Sequence, residues 1–320
     1  MKVSVLVPVC NGEAFLTECL ESILAQDFAD MEILIADDAS TDGSAAIVER
    51  YAARDSRIRR WKNPGNLGLA RNFNYCLRAA KGEYIKYVLQ DDKLISPLAI
   101  RKMVEVLDNH PEVSLVSSAT LVLDEHSQVI ELRKYFKPGV MEGGQVIVRC
   151  LERLSNLIGE PSVVMFRREQ AARGYNEQLC HWLDVDLWFH LLEQGRFAYM
   201  AGPLCAFRRH AAQQSKINRR NNTIEREQYF IFKAYFHKHC EGNRRALFVL
   251  IYNLKKKPLD EQTPRLIADL MVLLKPGWYL LYWLERKITR PFKNLKNWLV
   301  KNHYRKLYRR ELSIPNFPVV

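Results

Sequence analysis

Two hydrophobic patterns alternate along the first two-thirds of the chain. Continuous apolar runs such as residues 3–9 predict buried strands, whereas apolar residues three and four positions apart, such as Leu16, Leu20 and Ile23, predict one face of a helix. Further strands are predicted at 33–36, 58–61, 84–89, 113–117, 197–200 and 204–207, and further helices at 45–54, 69–80 and 97–107. This alternation is typical of βαβ units and predicts an α/β fold.

Two pairs of adjacent aspartates end predicted strands. Asp37 and Asp38 follow the strand at 33–36, and Asp91 and Asp92 follow the strand at 84–89. In an open parallel sheet the strand carboxyl ends face the ligand crevice, so we expect the two doublets to converge on one site. Adjacent carboxylates repel each other and suit a divalent cation or a hydroxyl-rich ligand. The alternative is that each doublet caps the helix that follows it.

Length and composition allow a large core. The chain has 320 residues, 48% of them hydrophobic, which supports one large domain or a domain with an appendage. Its seven cysteines show no CxxC spacing, so we expect reduced, buried thiols in a cytosolic setting and neither a zinc site nor a disulfide framework. The first strand begins directly after Lys2, so we expect no signal peptide and a body that faces the cytoplasm.

Nearly all of the net charge of +12 lies in the last quarter of the chain. Residues 241–320 hold 17 Lys and Arg against 6 Asp and Glu, and the rest of the chain is almost neutral. A neutral body with a basic tail indicates an anionic surface as the partner of the tail.

Four motifs in order resemble those of the family 2 glycosyltransferases, which use nucleotide sugars and have the GT-A fold. They are VSVLVPVCNG at 3–12, DDASTDGS at 37–44, NLGLARN at 66–72 and GEYI at 82–85. Each motif alone is weak, but four in order at family-like spacing are specific. The resemblance covers about residues 1–215. It implies a GT-A domain over 1–220, with a mixed, mainly parallel sheet flanked by helices, and a basic helical C-terminal region over 221–320.

The resemblance implies that the first doublet belongs to a nucleotide pocket. Asp38 would accept hydrogen bonds from uracil or ribose, each worth ~1.5–3 kcal/mol for a charged group. Pro8 and Asn11 would form the pocket floor, and Arg71 would lie near the base or the diphosphate. Two alternatives stay open: Asp37 shapes only the turn, and Arg71 is a solvated helix residue.

The second doublet is the metal site that the resemblance implies. Many relatives carry Asp-x-Asp here, whereas this chain reads LQDD at 89–92, so the first Asp of that element is missing. Asp92 would bind Mg²⁺ or Mn²⁺ directly, and Asp91 would contact the ribose or a metal-bound water. In the later segment RRH at 208–210, Arg208 would close over the diphosphate and His210 would ligate the metal. A helix-capping pair is the alternative for the doublet.

The resemblance places the catalytic base in the segment 180–188. Family members commonly read Glu-Asp-x-Asp-Leu-Trp, and here Leu183 replaces the Glu, so Asp184 takes the position of the base. General-base assistance is worth ~10²–10⁴-fold in rate. Asp186 is the alternative base. His181 and Trp182 are candidate sugar contacts, and Trp182 is equally suited to an ordinary core position.

The C-terminal quarter predicts amphipathic helices. Residues 222–240 read as one such helix, and residues 266–299 mix Trp, Tyr and Leu with Lys and Arg. Lys275, Pro276 and Gly277 interrupt the apolar run, so no helix that spans a membrane is predicted. Basic and aromatic faces are typical of helices in a membrane interface, where each basic residue adds ~1 kcal/mol. The alternative is a helical subdomain packed on the body or a dimerisation surface, and nucleic-acid binding is not expected.

The sequence therefore predicts an inverting glycosyltransferase at the inner face of the cell membrane. It would move a sugar from a nucleoside-diphosphate donor, with UDP-sugars favoured, to a glycan or lipid-linked saccharide, as in cell-surface polysaccharide synthesis. Two hypotheses from other classes stay open: a catalytically idle GT-A domain that serves as a binding module, and an adaptor protein that acts through its basic tail.

Overall fold

The strands of the described chain form one ten-stranded sheet. The computed structural model describes residues 1–211, 213, 223–240, 243–256, 263–274 and 277–284. The strands are β1 (Val3–Val9), β2 (Met31–Asp37), β3 (Ile58–Lys62), β4 (Tyr84–Tyr87), β5 (Lys93–Leu94), β6 (Val113–Leu123), β7 (Val129–Arg133), β8 (Gly139–Met141), β9 (Met165–Arg167) and β10 (Arg196–Arg208). Their order is β3-β2-β1-β4-β9-β6-β10-β5, with β7 paired to β6 and β8 paired to β10.

Nine α-helices are defined within the described residues, and residues 277–284 are helical as well. They are α1 (Glu13–Leu24), α2 (Ser44–Ala52), α3 (Leu69–Ala79), α4 (Ala99–Asn109), α5 (Gly143–Leu151), α6 (Leu183–Leu192), α7 (Thr223–His239), α8 (Arg244–Lys256) and α9 (Thr263–Leu274). Short 3-10 helices lie at Pro161–Val163 and Glu169–Ala171.

The sheet joins two parallel blocks through one antiparallel strand. β3, β2, β1 and β4 run parallel to one another, and β10 runs parallel to β6. β9 lies between the blocks and is antiparallel to both β4 and β6. The longest pairings are parallel, so the expected mixed, mainly parallel α/β sheet with flanking helices is confirmed.

Alternating residues of the strands pack into two separate hydrophobic clusters, one on each face of the sheet. In β1, Val5 and Val7 pack in a cluster with α1, α2 and α4, whereas Leu6 packs on the opposite face in a cluster with α3, α5 and α6. The second cluster also contains Ile231 of α7 and Ile251 of α8. The first two C-terminal helices therefore share the core of the sheet and do not build a core of their own.

Three elements differ from the sequence pattern. The two strands expected at 197–200 and 204–207 are one strand, β10, whose register shifts between Met200 and Pro203. Proline lacks an N–H for the ladder, and a local irregularity accommodates it without ending the strand. Helix α4 begins at Ala99, so Pro97 precedes the helix. The expected burial of the cysteines holds for five of the seven, but Cys10 is half-buried and Cys180 is exposed.

Apolar side chains are exposed at the end of the described chain. On α9 these are Val272 and Leu273, and in the helix at 277–284 they are Leu280, Leu281 and Leu284. Within the described ranges, none of the helices combines the length and the hydrophobicity needed to cross a bilayer. The basic and aromatic run predicted at 286–299 lies outside the described residues.

Gly82 lies where the chain before β4 touches β1, and this contact allows no side chain. A Cβ at this position would lie 2.3 Å from the Ser4 nitrogen. We expect Gly82→Ala to lower the free energy of unfolding by about 1–3 kcal/mol, because the backbone of β1 has to move. Gly65→Ala is the matched control, since no atom lies within 4 Å of its Cβ position. Urea denaturation measures both, and equal stabilities would contradict this account.

Candidate functional site

Both aspartate doublets lie at one edge of the sheet. β1 lies between β2 and β4, so the loops that follow β2 and β4 flank the end of β1. Gln90 ties the second loop to the end of β1: its side-chain oxygen accepts the Cys10 N–H (2.7 Å), and its amide donates to the Cys10 carbonyl (2.9 Å). The first loop is tied to the same strand by the Asp38 N–H, which donates to the Val9 carbonyl (2.7 Å). The loops that carry Asp38 and Asp91 are thus fixed to the same strand end, as the strand pattern predicts.

The carboxylate of Asp38 is buried and braces the turn at 63–68. One oxygen accepts the Asn63 amide (2.9 Å) and the Leu67 N–H (2.8 Å), and the other accepts the Gly68 N–H (3.0 Å). A carboxylate has about four acceptor positions, so these bonds leave little capacity for a ligand. Asp38 therefore shapes a wall of the site, and its contact with a nucleoside stays a prediction.

The neighbouring residues of this edge are also tied by local hydrogen bonds. Asp37 accepts the Ser40 N–H (2.9 Å), which is the turn-shaping role that was the alternative for this residue. Asn11 has a left-handed backbone (φ 51°), and its side-chain oxygen accepts the Thr41 N–H (2.9 Å). Pro8 is buried near the end of β1. Pro8 and Asn11 thus lie at the strand end where the pocket floor is expected.

Arg71 lies on the surface at the start of α3. Its side chain is 65% exposed and donates to Glu177 (3.2 Å). Glu177 in turn accepts the Asn74 amide (3.2 Å), so the pair bridges α3 and the loop before α6. This placement fits the solvated-residue alternative, and an Arg71 contact with a nucleotide stays a prediction.

The two carboxylates of the second doublet differ in exposure and in their partners. Asp92 is only 2% exposed, and one of its oxygens accepts the Arg208 N–H (2.9 Å). Burial, aided by the charge of Asp91, raises the pKa of Asp92 well above its usual range. The side chain of Asp91 is 18% exposed, and its Oδ2 lies 2.9 Å from Nε2 of His210. The more accessible carboxylate is thus that of Asp91, whereas Asp92 is buried and its Oδ2 has no hydrogen-bond partner among the described residues. Direct binding of a metal by Asp92 stays a prediction.

Arg208 is buried and braces the loop that carries Asp91. Its side chain is 1% exposed and donates to the Asp91 carbonyl (2.9 Å), to Ser127 Oγ (2.8 Å) and to the carboxylate of Glu18. The guanidinium also lies 4.6 Å from the centre of the Phe15 ring. Groups within the protein bind this cation, and a contact of Arg208 with the diphosphate stays a prediction. The brace fixes the backbone of Asp91.

Asp184 lies in the first turn of α6 and is almost completely buried. Its Oδ2 accepts the Asn156 amide (2.9 Å), and its Oδ1 accepts the Val185 N–H (2.8 Å). Burial raises the pKa of Asp184 to about 7, and the charge of Glu160 acts in the same direction. A carboxyl group with a pKa near neutrality suits general-base catalysis.

The segment 156–163, which the sequence pattern did not single out, contacts Asp184 through Asn156. The Asn156 oxygen accepts the Gly159 N–H (3.0 Å), and its amide donates to the Gly159 carbonyl (3.0 Å) as well as to Asp184. Trp188 of α6 donates its indole N–H to the same carbonyl (3.0 Å). Gly159 has a left-handed φ of 127° and precedes a Glu-Pro pair. The sequence Gly-Glu-Pro at 159–161 is therefore a local signal of a turn that requires glycine.

The same segment joins Asp184 to the second doublet. The Ser162 hydroxyl accepts the Leu89 N–H (2.9 Å), which holds the end of the β4 loop. The negative charge of Glu160 raises the pKa of both Asp92 and Asp184, so this side chain lies near both carboxylates. The two halves of the candidate site therefore meet around residues 159–162.

The other candidates on and before α6 have structural contacts. Asp186 is buried and forms an ion pair with Arg173 (2.8 Å), and its role as the alternative base stays a prediction. Trp182 is 6% exposed within the core, so its core alternative is the one that the structure shows. His181 is half-buried, and a sugar contact of this residue stays a prediction.

Sequence comparison identifies the family. The profile of glycosyl transferase family 2 matches residues 4–169, which is just over half of the chain. EpsE of Bacillus subtilis (strain 168), whose name assigns it to the glycosyltransferases, is 34% identical over 206 residues. That match covers 62% of this chain and 69% of EpsE.

Solved structures show the same fold at low sequence identity. S. aureus TarS 1–349 in complex with UDP-GlcNAc has a TM-score of 0.65 at 18% identity, covering 100% of this chain and 95% of TarS. The mannosyltransferase PcManGT from Pyrobaculum calidifontis, in complex with GDP-Man and Mn²⁺, has a TM-score of 0.52 at 16% identity, covering 97% and 88%. The chain therefore belongs to glycosyl transferase family 2, and it is a glycosyltransferase with the GT-A fold.

Proposed function

We propose that this glycosyltransferase transfers a sugar, with inversion, from a nucleoside-diphosphate sugar to a hydroxyl group of a glycan or lipid-linked saccharide. The observation that carries the proposal is Asp184, a buried carboxylate with a pKa of about 7. A UDP-sugar is the favoured donor, supported by the TarS complex with UDP-GlcNAc. The GDP-Man complex of PcManGT makes a guanosine donor the alternative.

Asp184 would act as the general base of this reaction. In an inverting displacement the acceptor oxygen attacks the anomeric carbon from the side opposite the diphosphate, and a base removes its proton. The Asn156 amide fixes Oδ2 of Asp184, which orients the carboxylate before the acceptor arrives. This assistance would be worth ~10²–10⁴-fold in rate.

Asp91 and His210 would hold a divalent cation, Mn²⁺ or Mg²⁺. Oδ2 of Asp91 and Nε2 of His210 lie 2.9 Å apart and both side chains are partly exposed, so the two side chains are close enough to bind one cation when Nε2 carries no proton. Among the described residues, no three His, Cys, Asp or Glu side chains form a metal site by themselves. One or two protein ligands completed by waters and phosphate oxygens are the usual arrangement for magnesium. When bound, the cation would neutralise charge that develops on the leaving diphosphate.

The C-terminal helices would bring the enzyme to the inner face of the cell membrane. Leu280, Leu281 and Leu284 are exposed on the helix at 277–284. Tyr279 of the same helix has Lys255 of α8 4.2 Å from its ring centre. Leucine, aromatic rings and basic groups together are typical of helices in a membrane interface. A lipid-linked saccharide would be presented to the site at such a surface.

Asp184→Asn should lower kcat/KM by about 10²–10⁴-fold, because the amide cannot accept the proton. For the native enzyme, kcat/KM should fall about tenfold per pH unit below pH 7, since only deprotonated Asp184 is active and its pKa is about 7. Turnover of nucleotide sugars across pH 5–9 measures both effects.

Asp186→Asn is the matched control, with the same chemical change on the same helix. It should lose its Arg173 ion pair and some stability while keeping the pH profile. If Asp184→Asn retains native turnover, the mechanism is wrong. A chain that binds a nucleotide sugar without any turnover would favour the binding-module hypothesis.

Asp91→Asn should abolish the thermal stabilisation that Mn²⁺ adds to donor binding, because it removes the accessible carboxylate. Donor and metal at about 100 times their Kd should stabilise the native protein by about 2.7 kcal/mol. Asp92→Asn is the control, since its amide oxygen can still accept the Arg208 N–H. Thermal unfolding with and without Mn²⁺ measures the difference. If Asp92→Asn loses the stabilisation by Mn²⁺ and Asp91→Asn keeps it, Asp92 is the metal ligand instead.

Leu280→Glu combined with Leu281→Glu should weaken binding to anionic liposomes, because two exposed apolar groups become charged and are repelled. Tyr75→Glu, at an exposed apolar residue of α3, is the matched control and should bind normally. Truncation after residue 284 tests the basic tail and leaves the core helices α7 and α8 in place. Liposome flotation measures each variant, and unchanged binding of both the double variant and the truncation would contradict membrane association.

A further inference from the structure

A buried carboxylate from α7 is bound by the chain segment directly before α6. Glu227 is 7% exposed. Its Oε1 accepts the N–H of Cys180 (2.7 Å), and its Oε2 accepts the N–H groups of His181 (2.8 Å) and Trp182 (2.8 Å). Three consecutive backbone amides thus surround one carboxylate, and the last of them is two residues from Asp184.

The carboxylate of Glu227 accepts hydrogen bonds from N–H groups that have no acceptor within helix α6. Helix α6 begins at Leu183, so the N–H groups of 180–182 lie outside its ladder of hydrogen bonds. A buried Glu is rare unless its charge is bound, and three backbone donors provide that binding here. The side chain of Glu227, some 45 residues farther along the chain, therefore fixes the conformation of residues 180–182.

The next residue of α7 reaches the partner of Asp184. Gln228 donates its amide to the Leu154 carbonyl (3.1 Å), two residues before Asn156. Glu227 and Gln228 together hold the two chain segments whose side chains meet in the hydrogen bond between Asn156 and Asp184. Farther along α7, the Tyr235 hydroxyl donates to the Asp186 carbonyl (3.3 Å), which secures the other side of Asp184.

We propose that Glu227 is a positioning residue for Asp184: by fixing residues 180–182 it sets the place of the carboxylate against Asn156 and the acceptor hydroxyl. The inference rests on the proposed function, in which Asp184 is the base. It assigns α7 to the active site, although α7 lies beyond the residues that the family profile matches. Misplacement of a reacting group by about 1 Å can cost 10²-fold in rate.

Loss of Glu227 should also change the titration of Asp184. The titratable groups that act on Asp184 are Glu160 from the 156–163 segment and Tyr175 from the loop before α6, while Glu227 of α7 binds the N–H of Trp182, two residues before it. On α6 itself, Asp186 is paired with Arg173. A loosened segment admits water, and the unbound N–H groups leave the start of α6 more positive. Both changes favour the carboxylate form and should lower the pKa of Asp184.

The test compares Glu227→Gln with Lys233→Gln, a change at an exposed residue of the same helix. The Gln oxygen can keep two of the three amide contacts, so the full-length variant should fold. We expect kcat to fall by about 10- to 100-fold, KM for the donor to stay within about twofold, and the acid limb of kcat/KM to move to lower pH. Lys233→Gln should match the native enzyme in all three. Thermal unfolding of both variants confirms that the measurements are made on folded protein.

Several outcomes would overturn the inference. Native kcat and a native acid limb in Glu227→Gln would show that the contact has no part in catalysis. A lower melting temperature with an unchanged pH profile would show that Glu227 only stabilises the fold. Turnover that survives Asp184→Asn would overturn the proposed function and this inference together, whereas an inactive Asp184→Asn with native Glu227→Gln kinetics would overturn the inference alone.

Discussion

Backbone N–H groups hold the buried carboxylates of this enzyme, and the arrangement of its site depends on that constraint. Asp38 is bound by two amides of the 63–68 turn, Asp92 by the amide of Arg208, and Glu227 by three amides before α6. A buried negative charge needs such donors, because burial without them is costly. Backbone donors also tie each carboxylate to a particular loop. Charge burial and loop conformation are therefore coupled in this protein. Asp92 and Asp184 each have a single backbone donor, and burial raises the pKa of both.

The sequence predicted the regular parts of the molecule well. Apolar runs located β1 to β4, and the motifs located the edge at which both doublets lie. The pattern could not tell which aspartate of the second doublet faces outward, because β4 ends at Tyr87 and side-chain alternation is lost in the loop that follows. The role of Arg208 was hidden for another reason: its partner Glu18 is 190 positions away, and such a pairing leaves no local signal. The segment 156–163 has no hydrophobic period, so its part in the site became visible only in three dimensions.

The site has two halves with different structural origins. The half that would bind the nucleotide is built on the ends of β1, β2 and β4, and rigid strands position it. The half that would bind the acceptor is built on α6, the 156–163 segment and α7, which pack on one face of the sheet. Loops carry most of the variation in such folds, and the 156–163 segment is the loop part of the acceptor half. Acceptor choice could therefore change while the nucleotide half stays fixed.

Arg208 has a consequence for how substitutions combine. Its guanidinium and backbone link Glu18 of α1, Ser127 of the β6–β7 turn and both aspartates of the second doublet. Residues in one such network show coupled effects, so the energetic result of two changes is not the sum of each alone. Helix α1 therefore reaches the Asp91–His210 pair in two ways, through Arg208 and through Phe15, whose ring centre lies 5.0 Å from that of His210. Protein engineering of this region would therefore have to vary Glu18, Ser127 and Arg208 together with the two aspartates.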